Sequence, residues 1–381
     1  MSKTLKWIIA IVVIILIIAG VYYYGAKPAT PVETGPVKIG VIGPLTGDAA
    51  IYGKPFSETV ALAIEEVNAA GGVNGRKIEI IAEDGKCSGQ EAATAMQKLV
   101  NIDKVQVVIG GFCSSESLAA VPIAEQNKVL LISPGSSSPD LTGISKYFVR
   151  DYPSDATQGQ VLAEAAIKKG WKKVAFLQEQ TDYCVGIYKA FSSRFIELGG
   201  KVVKEELASS ATDFKTQIGK LRGQKPDALF IDMQTPVGGE LVIKQLQELK
   251  WKTPMMAADA VSGSSETIKK YPQFLEGTLA AEFGVDTTNP KFQHMVLAYK
   301  AKYGKEADYP MYEQTMWDAA LMLVDGLKAV GNNGEKLAEW FRQQKGWEGS
   351  SGRVTIGENG DRVGGHVLKV IHNGVTVPAN L

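Results

Sequence analysis

The stretch VKIGVIGPLTGDAAIYG, residues 37–53, decides the fold class of this chain. Its first seven residues, VKIGVIG (37–43), form an apolar run with the length of a buried strand. The polar turn that follows leads into a helical stripe of Val60, Ala63, Ile64 and Val67, which stops at Gly71-Gly72. Outward from there the unit repeats. KIEIIAED (77–84), VQVVIGG (105–111) and VLLISP (129–134) read as strands, separated by helices over 91–100 and 116–127. The pattern restarts after FVRDYPS (148–154), with helices over 155–169, 184–198, 214–223 and 239–250. Strands over 173–179, 201–207, 227–232 and 254–259 lie between them. Alternation of this kind implies βαβ units and mostly parallel sheets with helices on both faces. Two strong helices, 290–303 and 311–329, precede a Gly-rich tail (352–378). Within the tail, ENGD (358–361) and HNGV (372–375) read as hairpin turns.

A length of 381 residues suits two globular domains better than one. With 45% hydrophobic and 22% charged residues, wholesale disorder is excluded. The 41 Lys+Arg balance 41 Asp+Glu, which excludes nucleic acid as a partner held by bulk basicity. Three Cys and three His are too few for a disulfide-built scaffold or a His-rich metal site. No G-x-S-x-G elbow, Walker A or H-E-x-x-H occurs, and GVIGPLTG (40–47) lacks the G-x-G-x-x-G spacing. No catalytic residue, cofactor or metal is therefore expected.

One segment is very uneven. No charge occurs from Trp7 to Ala26, and Ile8 to Ala19 is wholly apolar, enough to span a bilayer core as a helix. Lys3 and Lys6 precede it, which puts the N-terminus in the cytoplasm and the rest outside. Trp7 and Tyr22, Tyr23 and Tyr24 lie at the two ends, where interfacial aromatics belong. A cleaved signal peptide needs a shorter run and a small-x-small site, which YGA (24–26) fits poorly. The reading is an N-terminal membrane anchor (1–26), followed by an extended Pro/Thr-rich linker (27–36). With or without cleavage, the folded part is expected on the outer side of the cell membrane.

In open α/β sheets ligands bind beyond the carboxyl ends of strands. Ser114 and Ser115 precede one helix, and Ser136, Ser137 and Ser138 fill the next strand-to-helix turn. Serines there are common helix caps, but two adjacent hydroxyl-rich turns favour an anion pocket suited to a carboxylate. In the second block, Tyr183 could form an aromatic wall, and Asp259 could pair with a cation or cap a helix. Cys87 and Cys113 follow neighbouring strands at one sheet edge, a candidate disulfide in an oxidising compartment. Cys184 is then a free buried thiol.

VKIGVIGPLTGDAAIYG, AIEEVNAAGGVNGRKIEIIAED, VIGGFCSSES and LISPGSSSP, in this order, resemble the branched-chain amino acid-binding proteins, type I periplasmic binding proteins of ABC importers. The resemblance runs from about Val37 to the C-terminus. It implies two Rossmann-like lobes joined by a multi-strand hinge, with 37–153 and 284–350 in lobe 1 and 154–283 and 351–381 in lobe 2. Ser114 and Ser137 would hold a ligand carboxylate, with Gly135 and Ser136 supplying backbone groups. Tyr183 would cover the ligand, Asp259 would meet its ammonium, and Tyr52 would line the side-chain pocket. The family's disulfide falls on Cys87 and Cys113. Its aromatic pair in a second-lobe turn is replaced here by Gln234-Thr235, and its usual Glu by Asp259, so the pocket is more polar. The implied partners are an amino acid, an ABC permease and, through the N-terminal helix, the membrane. The alternative is a sensor of the same fold that binds an amide or urea-like solute and signals through a membrane partner.

Overall fold

A computed structural model describes residues 2–25, 35–379 and 381 of the chain. It falls into two units, Met1–Pro36 and Val37–Leu381. Within the first, Lys3–Gly25 is a helix of 23 residues. Its window Lys3–Gly20 has a mean hydropathy of 2.3, the apolarity that a membrane span requires. Most of the expected linker, 27–34, lies outside the described residues, as do the side chains of Tyr22, Tyr23 and Tyr24.

The second unit is built on two large sheets. The first contains β1 (Val37–Gly43), β2 (Ile78–Asp84), β3 (Val107–Gly110), β4 (Leu130–Ser133) and β5 (Phe148–Arg150), in the order β2-β1-β3-β4-β5. All its pairings are parallel. FVRDYPS, expected only as a crossing point, thus begins with an edge strand beside β4. The second sheet opens with β6 (Lys173–Glu179), β7 (Lys201–Leu207), β8 (Ala228–Asp232), β9 (Met255–Ala257) and β10 (Leu279–Glu282). A small hairpin, β11 (Lys345–Gly349) and β12 (Gly352–Thr355), stands apart, and β13 (Val367–His372) and β14 (Val375–Pro378) complete the second sheet. Its order is β14-β13-β10-β9-β8-β6-β7, with only the β10–β13 and β13–β14 pairings antiparallel. Asn373 and Gly374 join these two with φ of 51° and 77°, the positive values that a two-residue hairpin turn demands.

Both sheets repeat one doubly wound order: β2-β1-β3-β4-β5 and β7-β6-β8-β9-β10. In each, the chain reverses direction of growth beside its first strand, which opens a crevice at the strands' carboxyl ends. This is the type I periplasmic binding protein fold. The strands are apolar on both sides because helices cover both faces; β3, β4 and β8 are buried throughout. After β10 the chain returns to the first body. Helices Pro290–Tyr303, Pro310–Val330 and Gly334–Arg342 pack Met295, Trp317, Leu323 and Phe341 into one core with Ile39, Phe56 and Ile109. Val354 and Ile356 join the same core before the chain crosses again to β13.

Two reciprocal ion pairs tie the first crossing to the last. Arg150 Nε lies 2.7 Å from Asp361, and Arg362 Nη1 lies 2.8 Å from Asp151. Both arginines are almost fully buried. Arg150 also donates to Ser138 O at 2.8 Å, so the serine turn after β4 is held from below.

Candidate functional site

The turns beyond β1, β3, β4, β6, β8 and β9 converge on one small cavity of about 20 Å3. It is lined by Tyr52, Ser114, Gly135, Ser137, Tyr183 and Gln234, all expected from the sequence, together with Phe112, Cys113, Ala260 and Tyr312. Ser115, Ser136 and Asp259 stand outside the lining.

Tyr52 lies in the first turn of helix Ala50–Ala69, where Gly53 lets the helix press against the turn after β1. A Cβ at Gly53 would meet Pro44 O at 1.9 Å. The Tyr52 ring stands edge-on to Tyr309 and Tyr312, with centroids 5.1 and 5.6 Å away. Its hydroxyl reaches across to Ala260 O at 3.4 Å. The ring cluster of Tyr52, Phe112, Tyr309 and Tyr312 belongs to the first body, and Tyr183 of the second body lines the cavity with it.

The serine turns have divided roles. Ser114 starts helix Ser114–Asn127, and its Oγ accepts the backbone N–H groups of Ser137 and Ser138 at 3.3 and 3.1 Å. That leaves its own hydrogen as a donor. Ser137 presents its side chain to the cavity beside it. The N-terminus of helix Ser114–Asn127 lies behind Ser114, while the Ser137 hydroxyl also bonds to Asp155, whose carboxyl burial pushes well up. Ser136 instead staples the turns together: its Oγ lies 2.8 Å from Gly111 O and 2.7 Å from Ser117 Oγ. The N–H groups of Gly135 and Ser136, expected to face a ligand, are directed at Ser133 Oγ at 3.4 and 2.9 Å.

The disulfide between Cys87 and Cys113 is present, with Cα atoms 5.2 Å apart. Glu116 Oε atoms accept the N–H groups of both cysteines, at 3.0 and 2.9 Å, and burial pushes this carboxyl up to about 7. Cys184 is free and buried, its thiol raised by burial and by Asp232.

On the far side, helix Asp182–Glu197 begins two residues earlier than its apolar pattern shows, because Thr181 Oγ1 caps it at the Cys184 N–H. This places Tyr183 on a rigid helical turn. The strand expected over 254–259 ends at Ala257, and Asp259 starts a short helix, fully buried. Tyr183 and Tyr152 both donate their hydroxyls to Asp259, Tyr152 at 2.6 Å. His366 Nε2 lies 3.8 Å from both Asp259 and Asp155, and its Nδ1 meets Thr157 Oγ1 at 2.8 Å. Thr157 Oγ1 donates to Ser154 O, and His366 Nε2 is buried with no hydrogen-bond partner among the described residues. Burial holds His366 down to about 4 and pushes Asp155 well up, the latter helped by the charge of Asp259. The lining thus places Ser114, at a helix N-terminus, on one side and Tyr183, backed by the buried Asp259, on the other. Tyr152, Tyr312, Asp155 and His366 were missed from the sequence because no motif marks them. The one usable signal was Tyr152 within the quoted crossing segment.

The Periplasmic binding protein family profile matches residues 36–370. An amino acid binding protein of Pseudomonas aeruginosa is 30% identical over 312 residues, covering 80% of this chain and 82% of that protein. The crystal structure of a leucine binding protein from Thermotoga maritima is 32% identical, with a TM-score of 0.81 over 90% of this chain and 98% of that one. A solute binding protein of an ABC transporter from Rhodopseudomonas palustris, in complex with 3,4-dihydroxy benzoic acid, is 26% identical, with a TM-score of 0.77. That match covers 90% of this chain and 96% of the other.

Proposed function

This chain belongs to the periplasmic binding protein family, non-enzymatic substrate-binding proteins of ABC transporters, and on that premise we propose that it captures an α-amino acid outside the cytoplasm for an ABC permease. The observation that carries this reading is the opposed chemistry of the cavity. Ser114 and Ser137 line it at a helix N-terminus on one side, and on the other Tyr183 lines it and donates to the buried Asp259 behind it, the acid we assign to the ligand's ammonium. A zwitterion is bound at both ends by such a pair. Charge-assisted hydrogen bonds contribute about 1.5–3 kcal/mol each, so a few of them support micromolar affinity.

We propose lobe 1 as 37–153 and 284–356 and lobe 2 as 154–283 and 367–381. The last crossing is moved from 351 to 357–366 because Val354 and Ile356 pack in the first core. Ligand would drive closure through contacts to Tyr183 and Asp259, which the second lobe brings. The helix Lys3–Gly25 would act as a membrane anchor and hold the protein near its permease, raising its local concentration there.

Thermal-shift screening of the full chain in detergent tests the ligand. An α-amino acid at 100 times its Kd should add about 2.7 kcal/mol of stability. If an aromatic acid such as the one in the Rhodopseudomonas protein raises the melting temperature and no α-amino acid does, the zwitterion reading fails. The mass of the mature protein in membrane fractions distinguishes anchor from cleaved signal.

A further inference from the structure

Beside the aromatic cavity lies a second and much larger one, of about 450 Å3. Gln234 lines both and is the one residue their linings share. Its Oε1 is buried and has no hydrogen-bond partner. The larger cavity lies between the turns after β1 and β2 on one body and those after β6, β7 and β8 on the other. Its walls carry the hydroxyls of Ser88, Thr181, Thr212 and Thr235, with Met233 and Phe214 between them. A branched aliphatic chain would gain little here, because it would strip water from these polar groups without pairing them.

Two acids face this space, Asp48 and Glu179. Glu179 ends β6 and is only 8% exposed. One of its oxygens accepts the Gln234 N–H at 2.8 Å, and no lysine or arginine ion pair reaches it among the described residues. Burial raises its carboxyl, and the charge of Asp48 raises it further. The cation on the rim, Lys86, is exposed and lies 3.8 Å from Glu91. A buried carboxylate beside a like charge is costly unless a cation joins it. A long side chain leaving the amino acid site past Gln234 would bring one.

We propose that the ligand is an α-amino acid with a long cationic side chain, whose terminal guanidinium or ammonium passes Gln234 and pairs with Glu179 in the larger cavity. This rests on the amino acid reading above and deepens it. Gln234 Oε1 accepts an N–H along the way, and the surrounding hydroxyls take the remaining donors. A planar guanidinium, with five N–H donors, suits this set best.

Isothermal titration of the full chain in detergent with L-arginine, L-lysine and L-leucine tests the assignment. Arginine should bind at least tenfold more tightly than leucine. Glu179→Gln should lower the arginine-to-leucine affinity ratio at least tenfold. Gln234→Tyr, which places a ring across the junction, should shift the ratio the same way even if Glu179→Gln does not fold. Leucine binding as tightly as arginine, or a ratio unmoved by both substitutions, overturns the proposal and leaves the amino acid reading intact. Failure of all three amino acids to bind overturns that reading, and this one with it.

Discussion

The serine turns that line the small cavity and the buried acid behind its far wall are built in different ways. The serine end is complete within one body: Ser114 binds the next turn's N–H groups, Ser136 binds Gly111 O, and Glu116 and a disulfide secure the helix start. The acid end depends on distant segments, because Asp259 takes its hydrogen bonds from Tyr152, 107 residues away, and Tyr183, 76 residues away. His366, on the segment leading into β13, approaches the same carboxylate. The first end is preorganised by local bonds; the second forms only when three segments meet. Preorganised donors cost little ordering on binding, whereas an assembled group can report whether the assembly is in place.

Four measurements break or sharpen this contrast. The largest effect is expected from Asp259→Ala, which removes the assembled acid. It should weaken α-amino acid binding on the order of 100–1,000-fold, about 3–4 kcal/mol, by titration calorimetry. Affinity within twofold of wild type would show that the acid end holds nothing. Next, replacing Cys87 and Cys113 by serine should reduce unfolding stability by about 3 kcal/mol in denaturant titrations. Because Ser114 and Ser136 hold the turn independently, affinity should change much less; a collapse of binding with it would make the disulfide, not the hydroxyl network, the organiser.

The acid end should also respond to pH. His366 is neutral when folded, held to about 4 against 6.5 in the unfolded chain, so protons bind the unfolded state preferentially as pH falls. Its contribution is intact above about pH 6.5 and lost progressively down to about pH 4, some 3 kcal/mol in all. His366→Gln should flatten that limb of the stability profile; an identical limb in the variant excludes this imidazole as its source. The smallest effect belongs to Tyr52→Phe, which loses only the 3.4 Å contact to Ala260 O. About 0.5–1 kcal/mol of affinity is expected, and more than that would mean the hydroxyl meets the ligand itself.

The serine end was legible in the sequence and the acid end only half so. Ser114 and Ser137 follow short buried strands, where local pattern fixes both the turn and its direction. Asp259 and Tyr183 stand at strand ends too, but what positions Asp259 is Tyr152, whose pairing is a matter of how two sheets face each other. Tyr312 was absorbed into the helix expected over 311–329, because an apolar ring at helical spacing looks like core. It is core on one side and cavity wall on the other. The division of labour between Ser136 and Ser137 was also hidden. Adjacent serines are chemically identical until Gly111 O fixes which one turns inward. The α/β class and the parallel strands were readable from alternation and periodicity, whereas the late return to the first body was only implied by the family resemblance. The edge strand β5 was not, since Phe148–Arg150 is too short to carry a period.

The reciprocal pairs Arg150–Asp361 and Asp151–Arg362 have a mechanical consequence. They fasten two of the three chain crossings to each other like rivets through overlapping straps, so relative movement of the bodies is steered toward rotation about one axis, with sliding opposed. A single proteolytic cut near residue 286, in the remaining crossing, should leave both halves attached and still able to swing.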